Sequence, residues 1–276
     1  MIYCASLSYG KDSMAMLHVV KDILHLPLDR IITAEVWATD TIQADLPPMV
    51  EFKDKADAEI QKRWGIKVEH FYAMKNGEKM TYEKQFYTKM NRSKIQGRNG
   101  TIYGFPRVKG GWCVSNLKLS ALNAATRMEK NTVHYVGIAS DETNRIERHK
   151  DKKNTRLPLV EAGWTERMCL EWCEKNDLLS PIYTTATRGG CWFCHNQSIV
   201  QLRKLRKNYP NLWSMLLKWD CDSMYAFKAD GHTVHDYDRR FRWEDEGYKP
   251  IQNRFSWGDV NYPQMNIEQI LNGYNK

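Results

Sequence analysis

Short runs of apolar and β-branched residues alternate along most of the chain with stretches whose apolar positions recur every three or four residues. The runs predict strands over Ile2 to Ser8, Ile31 to Ala38, Lys67 to Tyr72 and Thr132 to Ala139, with a shorter one near Ile182. Between them, Met16, Leu17, Val20, Ile23 and Leu24 make one helical stripe, and Met49, Phe52, Ala56, Ile60 and Trp64 make another. Alternation of this kind predicts an α/β fold: a Rossmann-like parallel sheet with helices on both faces. Residues 1–200 are expected to form this ligand-binding domain, and 201–276 a mostly helical C-terminal extension. The polar, Lys/Arg-rich, glycine-punctuated stretch from Lys75 to Gly111 reads as a partly helical excursion that could form a lid or substrate surface.

In a sheet of this type ligands sit at the carboxyl ends of the strands, near the point where strand order reverses. Ser8-Tyr9-Gly10-Lys11-Asp12-Ser13 falls at the end of the first predicted strand and opens a helical pattern. A glycine-containing turn there presents unpaired backbone N–H groups and the positive end of a helix dipole to an anion. Lys11 adds a charge, Ser8 and Ser13 add hydroxyl donors, and Asp12 offers a hard oxygen to Mg²⁺. The plainer alternative is a capped turn that merely starts a helix. The spacing is not that of a Walker A loop.

The net charge of +8, from 41 Lys and Arg against 33 Asp and Glu, suits an anionic ligand such as a nucleotide or nucleic acid. No apolar run approaches the roughly 20 residues needed to span a bilayer, and no basic segment precedes the first strand, so a cytoplasmic protein without membrane contact is expected. Seven cysteines then argue for metal or core use over disulfides. Cys191-Trp192-Phe193-Cys194 follows Arg188-Gly189-Gly190, and Cys113 follows Gly110-Gly111-Trp112. A Cys-x-x-Cys turn aims two sulfurs at one centre, and the preceding glycines let the backbone wrap closely. Three uses compete: buried thiols, a structural zinc with His195 or another Cys as fourth ligand, and an iron–sulfur cluster. Cys169 and Cys173 with Trp172, and Cys221 with Leu212, Trp213, Leu216 and Leu217, fall at helical spacing and are expected in the core, as is Cys4 in its strand. His232 and His235 are expected on the surface. Arg203, Lys204, Arg206 and Lys207, with Tyr209 and Trp213, could follow a nucleic-acid backbone or simply form a solvated basic helix.

The turn Ser8 to Ser13 resembles the S-G-G-x-D-S loop of the PP-loop ATP pyrophosphatase superfamily, with Tyr9 where the first glycine is usual. Gly137-Ile138-Ala139, Asp141-Glu142, Arg145, Arg156-Leu157-Pro158-Leu159, Gly163-Trp164-Thr165-Glu166, Leu179-Ser180-Pro181-Ile182-Tyr183 and Gly190-Cys191-Trp192-Phe193-Cys194 occur in the order seen in the phosphoadenosine phosphosulfate (PAPS) reductase family, a branch of that superfamily. The resemblance spans roughly residues 1 to 210. It implies binding of ATP with Mg²⁺: Ser8, Gly10, Lys11 and Ser13 around the phosphates, Asp12 on the metal ion, and Asp40 and Gly137 beside the nucleoside. Lys118 and Arg145 become candidates for neutralising developing charge. Cys113, Cys191 and Cys194 become candidate ligands of an iron–sulfur cluster, with a fourth position open or filled by His195, Cys4 or another cysteine.

The chain departs from the reductases in two ways. The Cys-Cys pair of the cluster-bearing members is reduced to Trp112-Cys113, and the Cys-bearing tail that attacks the sulfonate is missing, since no cysteine follows Cys221. Both departures resemble the three-cysteine PP-loop enzymes that thiolate RNA. The leading expectation is therefore an adenylating sulfurtransferase acting on a nucleic acid or nucleotide-like substrate, with sulfide or a sulfur-donor protein as partner. A sulfonucleotide reductase and a non-catalytic nucleotide-binding subunit are the alternatives.

Overall fold

A computed structural model of the protein describes residues 1–91, 97–106, 111–127, 129, 131–184 and 189–247. Gly110, Arg188, part of the expected lid and the extension beyond residue 247 lie outside the described residues. The chain divides into two units, Met1–His235 and Asp236–Lys276.

The strands are β1 (Ile2–Leu7), β2 (Arg30–Glu35), β3 (Val68–Tyr72), β4 (Met74–Lys75), β5 (Glu78–Lys79), β6 (Thr132–Val136) and β7 (Thr155–Arg156). The α-helices are α1 (Lys11–His18), α2 (Pro47–Trp64), α3 (Tyr82–Tyr87), α4 (Ser120–Thr126), α5 (Thr143–Glu147), α6 (Pro158–Glu161), α7 (Glu166–Lys175), α8 (Ile199–Asn208), α9 (Pro210–Asp222) and α10 (Val234–Asp245). A π-helical turn, Val19–Ile23, continues α1, and another, Val114–Leu119, leads into α4.

Five strands form one parallel sheet in the order β3-β2-β1-β6-β7, while β4 and β5 make a small antiparallel hairpin. Ala5 lies opposite both Ile31 and Tyr135, so β1 is central and takes ladder partners on both edges. Successive side chains on a strand point to opposite faces. Ala5, Leu7, Ile31, Val68 and Tyr135 join Met14, Leu17, Phe52, Ile60, Leu159, Cys169 and Cys173 in one core under α1, α2, α6 and α7. Cys4 and Ile32, also buried, face the other way, where α4 packs on β2 and β3. The fold is the expected Rossmann-like α/β arrangement.

The strands stop at Leu7, Glu35 and Val136, short of the residues expected to complete them, because the chain leaves the sheet there to form loops. The expected strand near Ile182 is a 3₁₀ turn, Pro181–Thr184. Pro181 has no N–H to give a ladder, which disfavours a strand at that point. The described part of the stretch from Lys75 to Gly111 is not a lid. Tyr82, Phe86 and Phe105 are fully buried, with Phe86 6.0 Å from Trp219 and Phe105 5.1 Å from Phe227. These rings form a second, aromatic core beneath α9.

The second unit is described over residues 236–247, where α10 carries Arg240–Glu244 and Arg242–Asp238 pairs one turn apart. Among the described residues, no helix is long and apolar enough to cross a membrane.

The chain turns one way from β1 through β2 to β3 and then returns to β6, so the strand order reverses between β1 and β6. Gly137, just after β6, packs against the start of α1 here: an added Cβ would stand 2.9 Å from the Asp12 carbonyl oxygen and the Ser13 Cα. Both are backbone atoms of the turn, so they cannot yield without moving it. Gly137→Ala is therefore expected to destabilise the protein by about 1–3 kcal/mol in urea unfolding, by overpacking. An unchanged midpoint would show that the close approach is not a constraint.

Candidate functional site

Tyr9 takes the left-handed backbone conformation (φ 56°) that makes glycine usual at such a turn. Its side chain explains how a tyrosine is held there. The ring is 1% exposed, Oη donates to Asp57 Oδ1 at 2.7 Å, and Lys53 lies over the ring at 5.2 Å. Asp57 also holds His70 Nε2 at 2.7 Å, and His70 Nδ1 bonds Glu35 at 2.7 Å. Burial, then Asp57, pushes the Tyr9 phenol well up, so it stays a neutral donor.

With Tyr9 pointing down, the rest of the turn faces outward. Ser13 Oγ accepts from Ser8 N at 3.2 Å and donates to the Gly10 carbonyl at 3.0 Å, closing the turn. Gly10 is the N-cap of α1 with no side-chain cap, and Lys11 N donates to the Tyr183 hydroxyl at 3.0 Å. Ser8, Gly10, Asp12, Ser13 and Gly137 line a cavity of about 350 Å³, together with Lys53, Lys118, Arg145, Tyr183 and Cys191. Two parts of the chain that the sequence left separate, the phosphate-type turn and the Cys-x-x-Cys turn, thus border one space.

Lys11 faces a neighbouring cleft with Glu142 and Glu166, and Asp12, Arg145 and Tyr183 border both spaces. Its ammonium sits between Asp12 (2.7 Å) and Glu166 (2.9 Å). Burial works against that charge, but the bonds to Asp12 and Glu166 outweigh it and hold the Lys11 pKa up. Burial raises the Asp12 carboxyl against the pull of Lys11. Arg145 is likewise engaged, by Glu142 at 2.6 Å. Carboxylate oxygens of Asp12, Glu142 and Glu166 lie within 4.8 Å of one another, an oxygen set of the kind Mg²⁺ takes. Asp40 is not brought in: it is exposed and pairs with Lys84 at 2.9 Å. Lys53, absent from the sequence reading, and Tyr183, named there only within a family motif, also line the cavity.

On the sulfur side, Cys194 N bonds the Cys191 carbonyl at 3.0 Å, and Gln197 Nε2 holds the same carbonyl at 2.8 Å. Trp192 ties the turn to the loop after β2 through the Ala44 carbonyl at 2.9 Å and the Gln43 carbonyl at 2.9 Å. Close wrapping does not explain Gly189 and Gly190, since a Cβ at either would meet only ordinary contacts at 3.8 Å. Burial pushes the Cys191 thiol up to about 12, and also raises Cys113, so a bound cation would have to supply the charge that makes them thiolates. As a thiolate, Cys191 would in turn hold the Lys118 ammonium up.

Tyr82 is the group that tests what these cysteines could hold. Its ring lies 4.9 Å from that of Trp112 and 4.0 Å from that of Phe193, beside both cysteine segments. Its buried hydroxyl has no hydrogen-bond partner among the described residues, and charge on Cys113, Cys191 and Cys194 acts on it. A buried orphan donor needs an acceptor, which sulfur at this centre would provide. The described trio with ligating atoms within 4.8 Å is the carboxylate one, not the three thiols. Tetrahedral zinc draws its thiolates to about 3.8 Å of one another, whereas a cluster places them on separate irons. Three thiols with an orphan hydroxyl donor beside them are a donor set that a sulfur-ligated metal centre, zinc or cluster, would fit. Cys4 is excluded as a fourth ligand: it is buried in the N-terminal half of β1 beside Arg30 and Glu129.

No family model and no curated protein sequence matches the chain. Among solved structures, it aligns with the U34-tRNA thiolase NcsA from Methanococcus maripaludis with its 4Fe-4S cluster, at 16% identity over 87% of this chain and 80% of that one, with a TM-score of 0.37.

The Tyr9 anchor gives a pH dependence. Hydrogen bonds to Asp57, then Glu35, raise the His70 pKa from its ordinary 6.5 to about 9. A raised folded-state pKa means that protonated His70 stabilises the fold fully below 6.5 and loses that contribution as pH rises through 9. Urea unfolding should show stability falling over that window by on the order of 1 kcal/mol after solvent screening. His70→Gln should flatten the slope; an equal slope in both proteins would remove His70 from the anchor.

Proposed function

We propose that the protein is an ATP-dependent sulfurtransferase that adenylates an oxygen of a nucleic acid or nucleotide-like substrate and exchanges it for sulfur. The observation that carries the reading is the shared cavity, in which Ser8, Gly10, Asp12 and Ser13 face Lys118, Arg145 and Cys191. A phosphate chain laid over the turn meets first-turn N–H groups of α1 and the Ser8 and Ser13 hydroxyls.

In this reading the substrate oxygen attacks the α-phosphorus, the bond to the bridging oxygen breaks, and pyrophosphate leaves. Lys11 and Arg145 neutralise it by exchanging their carboxylate partners for phosphate oxygens, while Asp12, with Glu142 and Glu166, holds Mg²⁺. Sulfide or a donor's sulfur then displaces AMP, with Lys118 steadying the anionic nucleophile. Cys113, Cys191 and Cys194 would hold an iron–sulfur cluster, which when bound supplies a Lewis-acidic iron for sulfide. Tyr82 would donate its hydroxyl proton to sulfur there.

Two measurements test this. Pyrophosphate release from ATP and Mg²⁺ with candidate RNA and nucleotide substrates should be seen for the parent and fall by roughly 10²–10³-fold in Asp12→Ala; no release with any substrate would end the adenylation reading. Anaerobically prepared parent should contain iron and acid-labile sulfide, and Cys191→Ala should contain neither. Zinc in place of iron would overturn the cluster assignment.

A further inference from the structure

Cys221 was expected in a buried stripe, yet it is the exposed one of the seven cysteines. It lies in the last turn of α9, with Sγ 3.6 Å from His235 Nε2. His235 is not a plain surface residue either: its Nδ1 bonds Asp220 Oδ2 at 2.6 Å, and its backbone N–H donates to the same oxygen at 3.1 Å. A carboxylate can only accept, so Nδ1 carries the proton and Nε2 is left as the acceptor that faces the thiol. The Asp220 side chain is 3% exposed, and its Oδ1 has no hydrogen-bond partner among the described residues. The buried carboxylate fixes the ring's orientation toward the thiol. Thiol, base and orienting acid thus stand in the order used by thiol nucleophiles on unrelated folds.

We propose that Cys221, His235 and Asp220 form a second, thiol-based site at which the protein takes sulfane sulfur from a persulfide donor. The ligand class rests on the sulfur-transfer reading above; the reactivity of the thiol does not. Burial, then Asp220 and Asp222, raises the Cys221 thiol, so it rests protonated and needs a base when it reacts. The step balances without an oxidant. His235 Nε2 takes the thiol proton, Cys221 Sγ bonds the outer sulfur of the donor R–S–SH, the donor S–S bond breaks, and its electron pair leaves on R–S⁻, which takes the proton from His235. Cys221 is left as the persulfide.

Placement supports this role. An exposed thiol at a helix end is open to a persulfide carried by another protein. Two residues earlier on α9, Trp219 stacks on Trp192 of the Cys-x-x-Cys turn, with centroids 5.5 Å apart and planes 14° from parallel. One helix therefore carries the thiol and packs against the sulfur centre of the main cavity.

The test uses the full-length protein. Iodoacetamide labelling at neutral pH, read by mass spectrometry, should modify Cys221 at least about 10-fold faster in the parent than in His235→Gly. Added imidazole should restore much of the rate in that variant, which a purely structural histidine would not allow. Asp220→Asn should slow labelling at unchanged circular dichroism, and His235→Gly keeps the test decisive if that variant fails to fold. Inorganic polysulfide should add one sulfur to Cys221 in the parent and none in Cys221→Ser or His235→Gly. Equal labelling rates with and without His235, or sulfur added at other cysteines in place of Cys221, would overturn the proposal. Because none of these readouts uses ATP or a cluster, failure of the adenylation reading would leave them standing.

Discussion

The turn between β1 and α1 depends on holding a tyrosine in a backbone conformation that side chains avoid. The left-handed geometry at Tyr9 costs about 1–2 kcal/mol. Burying the ring returns about 1.5–3 kcal/mol, and the bond from Oη to Asp57 adds to it. The conformation that glycine would supply by freedom is supplied here by anchorage. Everything that faces the cavity from this side, from Ser8 to Ser13, takes its direction from that side chain pointing down.

Ion pairing sets the charge balance of the site. Lys11 lies between two carboxylates, Arg145 is bound to Glu142, and Lys53 to Asp45. Charges that would serve a phosphate chain are thus already neutralised and positioned. Such pairs keep the cations in place at modest net energy, because each must be desolvated before it can be exchanged. Across the cavity, burial pushes the Cys191 and Cys113 thiols toward their neutral form. Tyr82 lies beside the rings of both cysteine segments, and Lys118 lines the cavity with Cys191.

Much of this was legible in the sequence, and the reason is local. The parallel strands were visible because buried strands read as apolar runs, and the Ser8 to Ser13 turn because its residue types carry their chemistry with them. The convergence of Gly137 and Arg145 on that turn follows the strand order at the reversal point. What was not legible depends on distant partners. Asp40 follows β2 as expected, but Lys84 draws its carboxylate out to solvent. Tyr9 is explained only by Asp57 and His70, far along the chain. An apolar pair after a proline, Ile182-Tyr183, reads as strand in the sequence and does not reveal the 3₁₀ turn. Helical spacing put Cys221 in the core, but spacing cannot tell where a helix runs out of cover, and the Cys221–His235 approach depends on how α10 begins.

The central claim is that the nucleotide and the sulfur centre occupy one cavity. Modification of Cys191 by a maleimide in metal-free protein, followed by mass spectrometry with and without saturating Mg-ATP whose binding is confirmed separately, tests it most directly. Protection of Cys191 by the nucleotide, with Cys221 unaffected, is the predicted result. Equal modification of Cys191 in the free and nucleotide-bound protein would contradict it.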